Sequence, residues 1–562
     1  MNWTHTPLAL SALMFAMAAQ ATPNQATDAV APEQATGFEH KSLVKAKNWM
    51  VTAANPLASE AGASILRQGG NAIDAMVTTQ LMLGLVEPQS SGIGGGSFLV
   101  YWDAKKKALT TFDGRETAPL NATPELFLDS TGQPMKFYDA VVGGRSVGTP
   151  GTVKLLWETH RQYGKLEWAR LIEPVAKLAE QGFEVSPRLA ALIAEDKERL
   201  GRFPATKAYF FDAQGEPLTA GTLLKNPDYA ATLRAIAQQG ASAFYQGDIA
   251  KNIIATVQNA PGNPGVLAQQ DFDTYQVKQR APVCAAYQSY QVCGMGLPSS
   301  GGLTVGQILT LTEQYDLKGW GAQDVKSWQV LGDASQLAFA DRGLYMADQD
   351  YVPVPTQGLL DKTYLAERAK LIQPGKALTS APAGNPPWHH AQLRSPDQSI
   401  ELPSTSHFNI VDREGNVVSF TTSIENAFGS RLLVRGFLLN NELTDFSFAT
   451  QSEGRPIANR LEPGKRPRSS MAPTIVLQDN QPYLAWDMDI QAAINQPHVL
   501  NRFGEIELEQ GTSAEQFKPA LESLGAKVGI KELNSGLHAI RITAQGLEGA
   551  ADPRREGVAI GE

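Results

Sequence analysis

The chain has 562 residues, of which 43% are hydrophobic and 19% charged, and its formal net charge is −9. This length and hydrophobic content allow a large buried core and more than one domain. No run of five lysines or arginines occurs, so the composition argues against a nucleic-acid-binding protein or one held on an anionic membrane by basic residues.

The N-terminal segment has the pattern of an export signal. Residues 8–19 are apolar but too short to span a bilayer, and Ala19-Gln20-Ala21 offers a cleavage site. We therefore expect residues 1–21 to be a signal peptide and the protein to be periplasmic or secreted. The segment before residue 8 lacks Lys and Arg, so an apolar terminus with no export role is the alternative. No later stretch reaches 18 apolar residues, which predicts no membrane span.

The first predicted helices cover about 56–68 and 71–86, with Asn71 or Asp74 near the start of the second. They are followed by SSGIGGGSFLVYW, a glycine-rich turn that leads into an alternating strand. Because these glycines precede a strand instead of joining a strand to a helix, they do not fit a dinucleotide-binding loop. We expect them to allow close backbone packing beside a site.

The rest of the chain divides into a helical part, a connector and a strand-rich part. Further helices are predicted in 146–250, 325–345, 489–495 and 514–524. Residues 350–403 are Pro-rich and poorly periodic, which is typical of an exposed connector and of a cleavage site. Strands dominate from residue 405 onward.

The only two cysteines are Cys284 and Cys293, in the sequence VCAAYQSYQVC. The segments around them predict two short strands with a tight connection. An oxidising compartment would allow a disulfide between them. Two buried thiols are the alternative, because the sequence does not supply the Cα separation that a disulfide needs. Their spacing is not that of a zinc site.

A hairpin with two different faces is predicted from TSHFNIVDREGNVVSFTTSI, in which residues 412–416 form the turn. If Val411 opposes Val417, then Thr405 lies directly opposite Ser423. Alternation places Phe408, Ile410, Val418 and Phe420 on one face and Thr405, His407, Asn409, Ser419, Thr421 and Ser423 on the other. A hydroxyl-rich face can reflect strand propensity alone, so this spacing does not by itself establish catalysis.

Several motifs together resemble one family. They are EPQSSGIGGGSF, FDGRETAP, SVGTPGTVKLLWETHRQYGKLEWARLIEPVA, PSTSHFNIVDREGNVVSFTTSIENAFGSRLLVRGFLLNNELTDFS and GKRPRSSMAPTIV. In this order they resemble the gamma-glutamyltranspeptidases from about residue 45 to the C-terminus. The resemblance implies an α/β (α+β) fold, a four-layer αββα sandwich of the N-terminal-nucleophile hydrolase type with a helical large-subunit portion. It also implies cleavage between Ser404 and Thr405 into subunits of residues 22–404 and 405–562 that remain associated as a heterodimer.

The resemblance also implies roles for individual residues. Thr405 matches the nucleophile, and its freed α-amino group would act as the base. Ser423 matches a second hydroxyl that hydrogen-bonds the nucleophile, where the family often has Thr. Arg115 matches the arginine that binds the substrate α-carboxylate. The other matched substrate-binding residues are Ser469 and Ser470 for that carboxylate, and Glu425, Glu442 and Asp445 near the α-amino group.

The implied reaction is γ-glutamyl transfer or hydrolysis through an acyl-enzyme on Thr405. Glutathione and other γ-glutamyl amides are the expected substrates, with water, amino acids or peptides as acceptors. No metal or organic cofactor is needed. A cephalosporin (glutaryl) acylase-like amidase is the alternative within the same chemistry.

The sequence departs from the family pattern in one place. A Gly-Ser-Pro-Gly-Gly-Ser turn and the helix after it are absent near Trp486 and Asp487. The glycines of that turn supply oxyanion-hole N–H groups in the family, and losing one such donor costs about 10²–10³ in rate. A catalytically impaired pseudoenzyme is therefore a third interpretation.

Overall fold

The computed structural model describes residues 38–389, 393–397, 399, 404–483 and 489–562. The predicted signal peptide, residues 1–21, lies outside the described residues. The predicted deletion near Trp486 and Asp487 does so as well.

Strands of the described residues are numbered in chain order. They are β1 Val44–Ala46, β2 Met50–Ala53, β3 Gly96–Asp103, β4 Ala108–Gly114, β5 Phe183–Glu184, β6 Leu223–Leu224, β7 Lys278–Arg280, β8 Val283–Tyr287, β9 Tyr290–Gly294, β10 Thr405–Val411, β11 Val417–Ser423, β12 Leu433–Val434, β13 Phe437–Leu438, β14 Gln451–Ser452, β15 Arg455–Pro456, β16 Thr474–Gln478, β17 Gln481–Pro482, β18 Val499–Asn501, β19 Glu505–Glu509, β20 Lys527–Lys531, β21 His538–Thr543, β22 Gly546–Ala551 and β23 Val558–Gly561.

The α-helices are numbered in the same way. They are α1 Pro56–Arg67, α2 Ala72–Val86, α3 Phe137–Val141, α4 Thr152–Tyr163, α5 Trp168–Gln181, α6 Pro187–Glu195, α7 Lys197–Leu200, α8 Pro204–Phe210, α9 Pro227–Gln239, α10 Ser242–Tyr245, α11 Asp248–Gln258, α12 Gln269–Thr274, α13 Gly301–Thr312, α14 Leu317–Trp320, α15 Val325–Tyr345, α16 Thr356–Leu359, α17 Lys362–Ala369, α18 Ile490–Ile494 and α19 Lys518–Ser523. Short 3₁₀ turns cover Gly144–Ser146, Glu442–Asp445 and Ser513–Phe517.

The central layer is an antiparallel sheet in the order β23-β2-β10-β11-β3-β4-β7. The hairpin β10–β11 lies in its middle, since β10 also pairs with β2 and β11 with β3. One face of the hairpin packs its apolar residues into the largest hydrophobic core, together with side chains of α2 such as Met76 and Leu83.

The second layer packs against the other face of the central sheet. It consists of two separate sheets, one in the order β17-β16-β9-β8 and one in the order β1-β22-β21. Val100 and Val417 of the central sheet share a core with Ile475 and Leu547 of the second layer. A disulfide joins Cys284 and Cys293, which are directly opposed in β8 and β9.

Helices cover the outer faces of both layers. The long apolar α2 lies against the central sheet, and its Asn71 cap and Asp74 form the reciprocal bonds of a capping box. On the far side, α13 packs on β8 and β9, and α18 packs on β21 and β22. The result is the predicted sequence of helix, sheet, sheet and helix layers.

The structure confirms most predicted elements and corrects two. The helices beginning at Pro56, Ala72 and Val325 match the predicted ranges to within a residue or two. The predicted helix at 514–524 is a 3₁₀ turn followed by the short α19. The predicted connector 350–403 contains α16 and α17, whose Leu359 and Leu365 are buried. Helices of four and eight residues leave too little periodicity to be recognised from sequence.

No helix of the described residues is long and apolar enough to cross a membrane.

Candidate functional site

The hairpin has the predicted register. Val411 opposes Val417 across the turn, and Thr405 opposes Ser423 at the other end. Asp412 fixes the turn by accepting hydrogen bonds from the backbone N–H groups of Glu414 and Asn416, at 3.0 and 2.9 Å. Because side chains alternate along a strand, this turn determines which residues reach the site.

The backbone before Thr405 is held by the residues around it. The Ser423 hydroxyl donates a hydrogen bond of 3.0 Å to the Ser404 carbonyl oxygen and accepts one of 2.8 Å from the Glu425 N–H. A guanidinium nitrogen of Arg555 donates to the Thr405 carbonyl oxygen at 2.6 Å. The carbonyl of the Ser404–Thr405 bond therefore already has a hydroxyl donor, while Thr405 itself is half-buried on the wall of a cavity.

The cavity has a volume of about 620 Å³ and follows the polar face of the hairpin. The predicted site residues on its wall are Thr405, Ser423, Glu425, Glu442, Asp445, Ser469 and Ser470. The structure thus brings together residues that are up to 65 positions apart in sequence, from Thr405 to Ser470. Arg115 is the exception, because it is fully buried and does not line the cavity.

Arg115 lies behind the cavity wall and pairs with two predicted site residues. Its two terminal nitrogens hydrogen-bond the carboxylates of Glu442 and Asp445. The guanidinium also donates to the backbone carbonyls of Pro467 and Arg468, at 3.3 and 3.2 Å. Burial by itself would lower the pKa of Arg115, but the neighbouring carboxylates raise it, so the guanidinium stays charged.

Carboxyl groups outnumber cations at this end of the cavity. Glu116 and Glu442 are buried beside Arg115, Glu425 is buried where it interacts with Glu442, and burial is the main cause that raises the pKa of each. Oε1 of Glu425 and Oε2 of Glu442 are buried and have no hydrogen-bond partner in the described part of the chain. Two free carboxylate oxygens beside the cavity suit a positively charged hydrogen-bond donor.

The backbone of Glu425 helps to direct its side chain. Its φ of 78° lies in the left-handed region, which is uncommon for a residue with a Cβ. The Asn441 side chain donates to the Glu425 carboxylate, and the Asn441 N–H donates to the Ile424 carbonyl at 3.1 Å. This turn places the Glu425 carboxylate at the cavity immediately after Ser423 ends β11.

Of the two predicted serines, Ser470 contacts an arginine, Arg342, that the sequence did not predict as a site residue. The Ser469 hydroxyl accepts from the Met471 N–H at 3.1 Å. Arg342, on α15, lines the cavity and donates to the hydroxyls of Ser470 and Ser300, at 2.9 and 2.8 Å. Arg342 had no local signal, because it is one polar residue in a long helix distant in sequence from the other site residues.

Two histidines lie along the cavity next to the hairpin. His407 contacts the Thr421 hydroxyl at 2.8 Å through Nδ1 and the Asn409 side-chain oxygen at 3.2 Å through Nε2. Burial lowers the pKa of His407 to about 4 and that of His538 to about 3. Both imidazoles are therefore neutral at pH 7 and can accept or donate a hydrogen bond.

A buried carboxyl group lies on the opposite side of β10. Glu87, just after α2, accepts a hydrogen bond of 3.0 Å from the hydroxyl of Ser406, the neighbour of Thr405. Burial raises the pKa of Glu87 to about 7, although Arg555 and Arg188 oppose this shift. Glu87 begins the motif EPQSSGIGGGSF, but the sequence does not indicate its role, since its contact forms only when α2 packs on the hairpin.

The glycine-rich turn before β3 packs against the same end of the hairpin. A Cβ on Gly95 would lie 2.0 Å from the Ser423 carbonyl oxygen, and one on Gly94 would lie 2.1 Å from the Leu438 carbonyl oxygen. A side chain at Gly95 would therefore displace the end of β11, and one at Gly94 would displace β13. This confirms the predicted role of the glycines in close backbone packing.

The layered fold, with a hydroxyl residue at the start of a central strand, defines the class of N-terminal-nucleophile hydrolases. A cephalosporin acylase structure from Bacillus halodurans has a TM-score of 0.80 and 26% identity, covering 94% of this chain and 99% of that one. The Helicobacter pylori gamma-glutamyltranspeptidase structure has a TM-score of 0.57 and 35% identity, covering 62% of this chain and 97% of that one.

The chain belongs to the gamma-glutamyltranspeptidase family. The gamma-glutamyltranspeptidase family profile matches residues 58–486 and 482–562. A glutathione hydrolase proenzyme of Bacillus subtilis (strain 168) is 36% identical over 557 residues, covering 93% of each chain. Within the described residues, no group of His, Cys, Asp and Glu side chains is arranged to hold a metal ion.

Proposed function

We propose that the chain cleaves its own Ser404–Thr405 bond and then uses Thr405 as the nucleophile of a γ-glutamyl transferase and hydrolase. The observation that carries this proposal is the hydrogen bond of 3.0 Å from the Ser423 hydroxyl to the Ser404 carbonyl oxygen. It lies at the residue pair where Thr405 directly opposes Ser423. A donor on the carbonyl oxygen stabilises the charge that develops there when a nucleophile attacks.

In the proposed cleavage, Oγ1 of Thr405 attacks the Ser404 carbonyl carbon. The C–N bond breaks, Thr405 N takes up a proton to become an amine, and an ester joins Ser404 to the Thr405 oxygen. Water then hydrolyses the ester, which leaves a carboxylate on Ser404 and a free hydroxyl on Thr405. The new α-amino group and the hydroxyl are on the same residue, so cleavage creates base and nucleophile together.

The proposed fragments, residues 22–404 and 405–562, would stay together because their strands alternate in the central sheet. Strand β2 of the first fragment lies between β23 and β10 of the second. The second fragment's β11 pairs in turn with β3 of the first. Separating the fragments would break these strand pairs and expose the core beneath them. We further propose export, with residues 1–21 as the signal peptide.

The charged end of the cavity supports a glutamyl head group. The free oxygens of Glu425 and Glu442 would accept from the substrate α-ammonium group. Ser469 and Ser470, with the buried charge of Arg115 behind them, would bind the α-carboxylate. Such a site fits glutathione and other γ-glutamyl amides.

In the proposed reaction, the Thr405 amine accepts the hydroxyl proton while Oγ1 attacks the γ-carbonyl carbon. The amine portion of the substrate leaves with a proton, and the γ-glutamyl group remains as an ester on Thr405. Water gives glutamate, and an amino acid or peptide amine gives a new γ-glutamyl amide. These steps require no metal or organic cofactor.

Hydrolysis of glutaryl amides is a second candidate, favoured by the similarity to the Bacillus halodurans acylase. A glutaryl group lacks the α-ammonium group and would leave the Glu425 and Glu442 oxygens without a donor. We therefore expect γ-glutamyl-p-nitroanilide to be cleaved faster than glutaryl-p-nitroanilide. The reverse order of kcat/KM would favour the acylase activity.

The test of self-cleavage is the Thr405→Ala variant, compared with the unsubstituted chain on a denaturing gel. We expect two bands from the unsubstituted chain, with Thr-Ser-His-Phe at the new N-terminus, and one uncut band from the variant. Thr422→Ala, on the opposite face of the same hairpin, is the matched control and should still give two bands. Cleavage of Thr405→Ala, or a single band from the unsubstituted chain, would refute the proposal; the second result would support the pseudoenzyme.

A further inference from the structure

The cavity continues well beyond the charged end. On the hairpin, Glu425 lies two residues past Ser423, whereas Val417, also on the cavity wall, lies six residues before it. Six residues of strand span about 20 Å. Thr405 and Ser423 therefore lie between a charged end and a long extension that runs back along β11.

The far part of the cavity has an apolar wall. We call it the apolar lobe and define it by Val417, Ile475, Leu537, Ile540 and Ile542. Val417 comes from the hairpin, Ile475 from β16, and Ile540 and Ile542 from β21. None of these side chains can hydrogen-bond a glutamyl head group, so the lobe serves another part of a ligand.

The lobe exists because the second layer is divided. In the described residues, β16 pairs with β9 and β17, and β21 pairs with β22, but β16 and β21 do not pair with each other. The cavity reaches residues of both strands, so it occupies the division between the two sheets. Ile475 of β16 and Ile540 and Ile542 of β21 therefore face the cavity on one side, while they also pack on the core that joins the two layers.

The mouth of the lobe exposes one large apolar side chain. Leu537 is 48% exposed, whereas Val417 and Ile475 are buried. Water contact at such a residue is unfavourable, and a ligand that covers it gains the free energy of burying apolar surface. A volume of about 620 Å³ lies within the range of sites for whole small molecules.

We propose that the apolar lobe binds the amine portion of the substrate, and that the preferred substrates are γ-glutamyl amides of large apolar amines. This inference rests on the proposed function and names the substrate class of the same site. The glutamyl head would occupy the charged end, the amide would lie at Thr405, and an alkyl or aryl amine would extend along β11. The apolar lobe and Thr405 line the same cavity. A group in the lobe would therefore be part of the molecule that Thr405 cleaves.

The test is a series of γ-glutamyl amides of ethylamine, butylamine, hexylamine and octylamine. We expect kcat/KM to rise about threefold per added methylene until the lobe is filled, since each buried CH₂ contributes a similar factor. Equal kcat/KM across the series would overturn the inference but leave the proposed function intact. Failure to release any amine from the series would count against the proposed function instead.

Substitutions of residues that line the lobe test whether the lobe causes the preference for long amines. Leu537→Ala should lower the octylamide-to-ethylamide ratio of kcat/KM about fivefold, and Leu223→Ala, at a 58% exposed leucine outside the cavity, should leave it unchanged. Ile540→Asn should lower the ratio further. If Ile540→Asn does not fold, the exposed position of Leu537 still decides the question. An unchanged ratio in Leu537→Ala would overturn the inference.

A binding measurement tests the inference even if the protein releases no amine from these substrates. Calorimetric titration of the same preparation with γ-glutamyl octylamide and γ-glutamyl ethylamide should give tighter binding of the octylamide. Equal affinities, or no detectable binding of the octylamide, would overturn the inference independently of catalysis.

Discussion

The two walls of the cavity are built differently. On the hairpin wall, β10 and β11 pair with each other and with β2 and β3, so their backbones are held on both sides. On the opposite wall, β16 and β21 belong to different sheets. The first wall can hold a nucleophile within a few tenths of an ångström, as catalysis requires. The second wall contacts the hairpin through side chains, as in the hydrogen bond of 2.6 Å from the Asn409 side chain to the His538 carbonyl oxygen of β21.

Arg115 joins the two walls at the charged end. It follows β4 of the central sheet and donates to the Pro467 and Arg468 carbonyls, just before β16 of the opposite wall. Its carboxylate partners Glu442 and Asp445 line the cavity. We therefore expect substitution of Arg115 to lower the stability of the fold, and substitutions on the hairpin wall to lower the rate of self-cleavage. Substitutions at the far edge of the opposite wall should change stability but not that rate.

The largest expected effect on stability is that of Arg115→Ala. The substitution leaves the buried carboxylates of Glu442 and Asp445 without their cation, which costs about 3–5 kcal/mol. Denaturant unfolding of the variant would measure this loss. Arg234→Ala is the matched control, because Arg234 also pairs with two carboxylates, Glu173 and Glu180, but on the surface. Its expected loss is much smaller, because the pair is exposed to solvent, and equal losses in the two variants would contradict the structural role of Arg115.

Ser423→Ala tests the chemistry of the hairpin wall. It removes the hydroxyl donor to the Ser404 carbonyl, so self-cleavage should slow by about 10²–10³. A time course of fragment formation on denaturing gels measures the rate, and Ser423→Thr, which keeps a hydroxyl, should restore most of it. Cleavage of Ser423→Ala at the original rate would show that this hydrogen bond is not used.

The hairpin wall could be predicted from sequence because neighbouring residues determine its register. The turn at residues 412–416 and strict alternation fix the Thr405–Ser423 pair without knowledge of the rest of the chain. The opposite wall could not be predicted in this way. Whether β16 and β21, about 60 residues apart, join one sheet or two depends on the other strands with which they pair. The resemblance assigned Arg115 to the substrate carboxylate and Glu442 and Asp445 to the α-amino group, but it did not indicate that Arg115 pairs with both carboxylates.

The far edge of the opposite wall should affect stability but not chemistry. The disulfide between Cys284 and Cys293 closes a short loop, and its removal should lower the free energy of unfolding by about 2–3 kcal/mol. Thermal unfolding of the double variant Cys284→Ser, Cys293→Ser measures this, and the reduced unsubstituted protein is its control. Self-cleavage at 25 °C should continue at the original rate. A slower rate at an unchanged melting temperature would place the disulfide within the chemistry instead.

The smallest expected effect lies behind the hairpin wall, at Glu87. Burial raises the pKa of Glu87 to about 7, against opposition from Arg555 and Arg188. Folding therefore takes up a proton between about pH 4.5 and 7, where the unfolded carboxyl is ionised and the folded one is protonated. The contribution of protonated Glu87 to the free energy of unfolding is complete below about pH 4.5. It is lost as the pH rises through about 7, where the buried carboxyl ionises.

Glu87→Gln makes the group neutral at every pH and retains an acceptor for the Ser406 hydroxyl. The variant and the unsubstituted protein should be equally stable at pH 4, and the variant should be more stable at pH 8 by on the order of 1–3 kcal/mol. Denaturant unfolding at both pH values measures the difference. A gap of the same size at pH 4 and pH 8 would mean that Gln acts through packing.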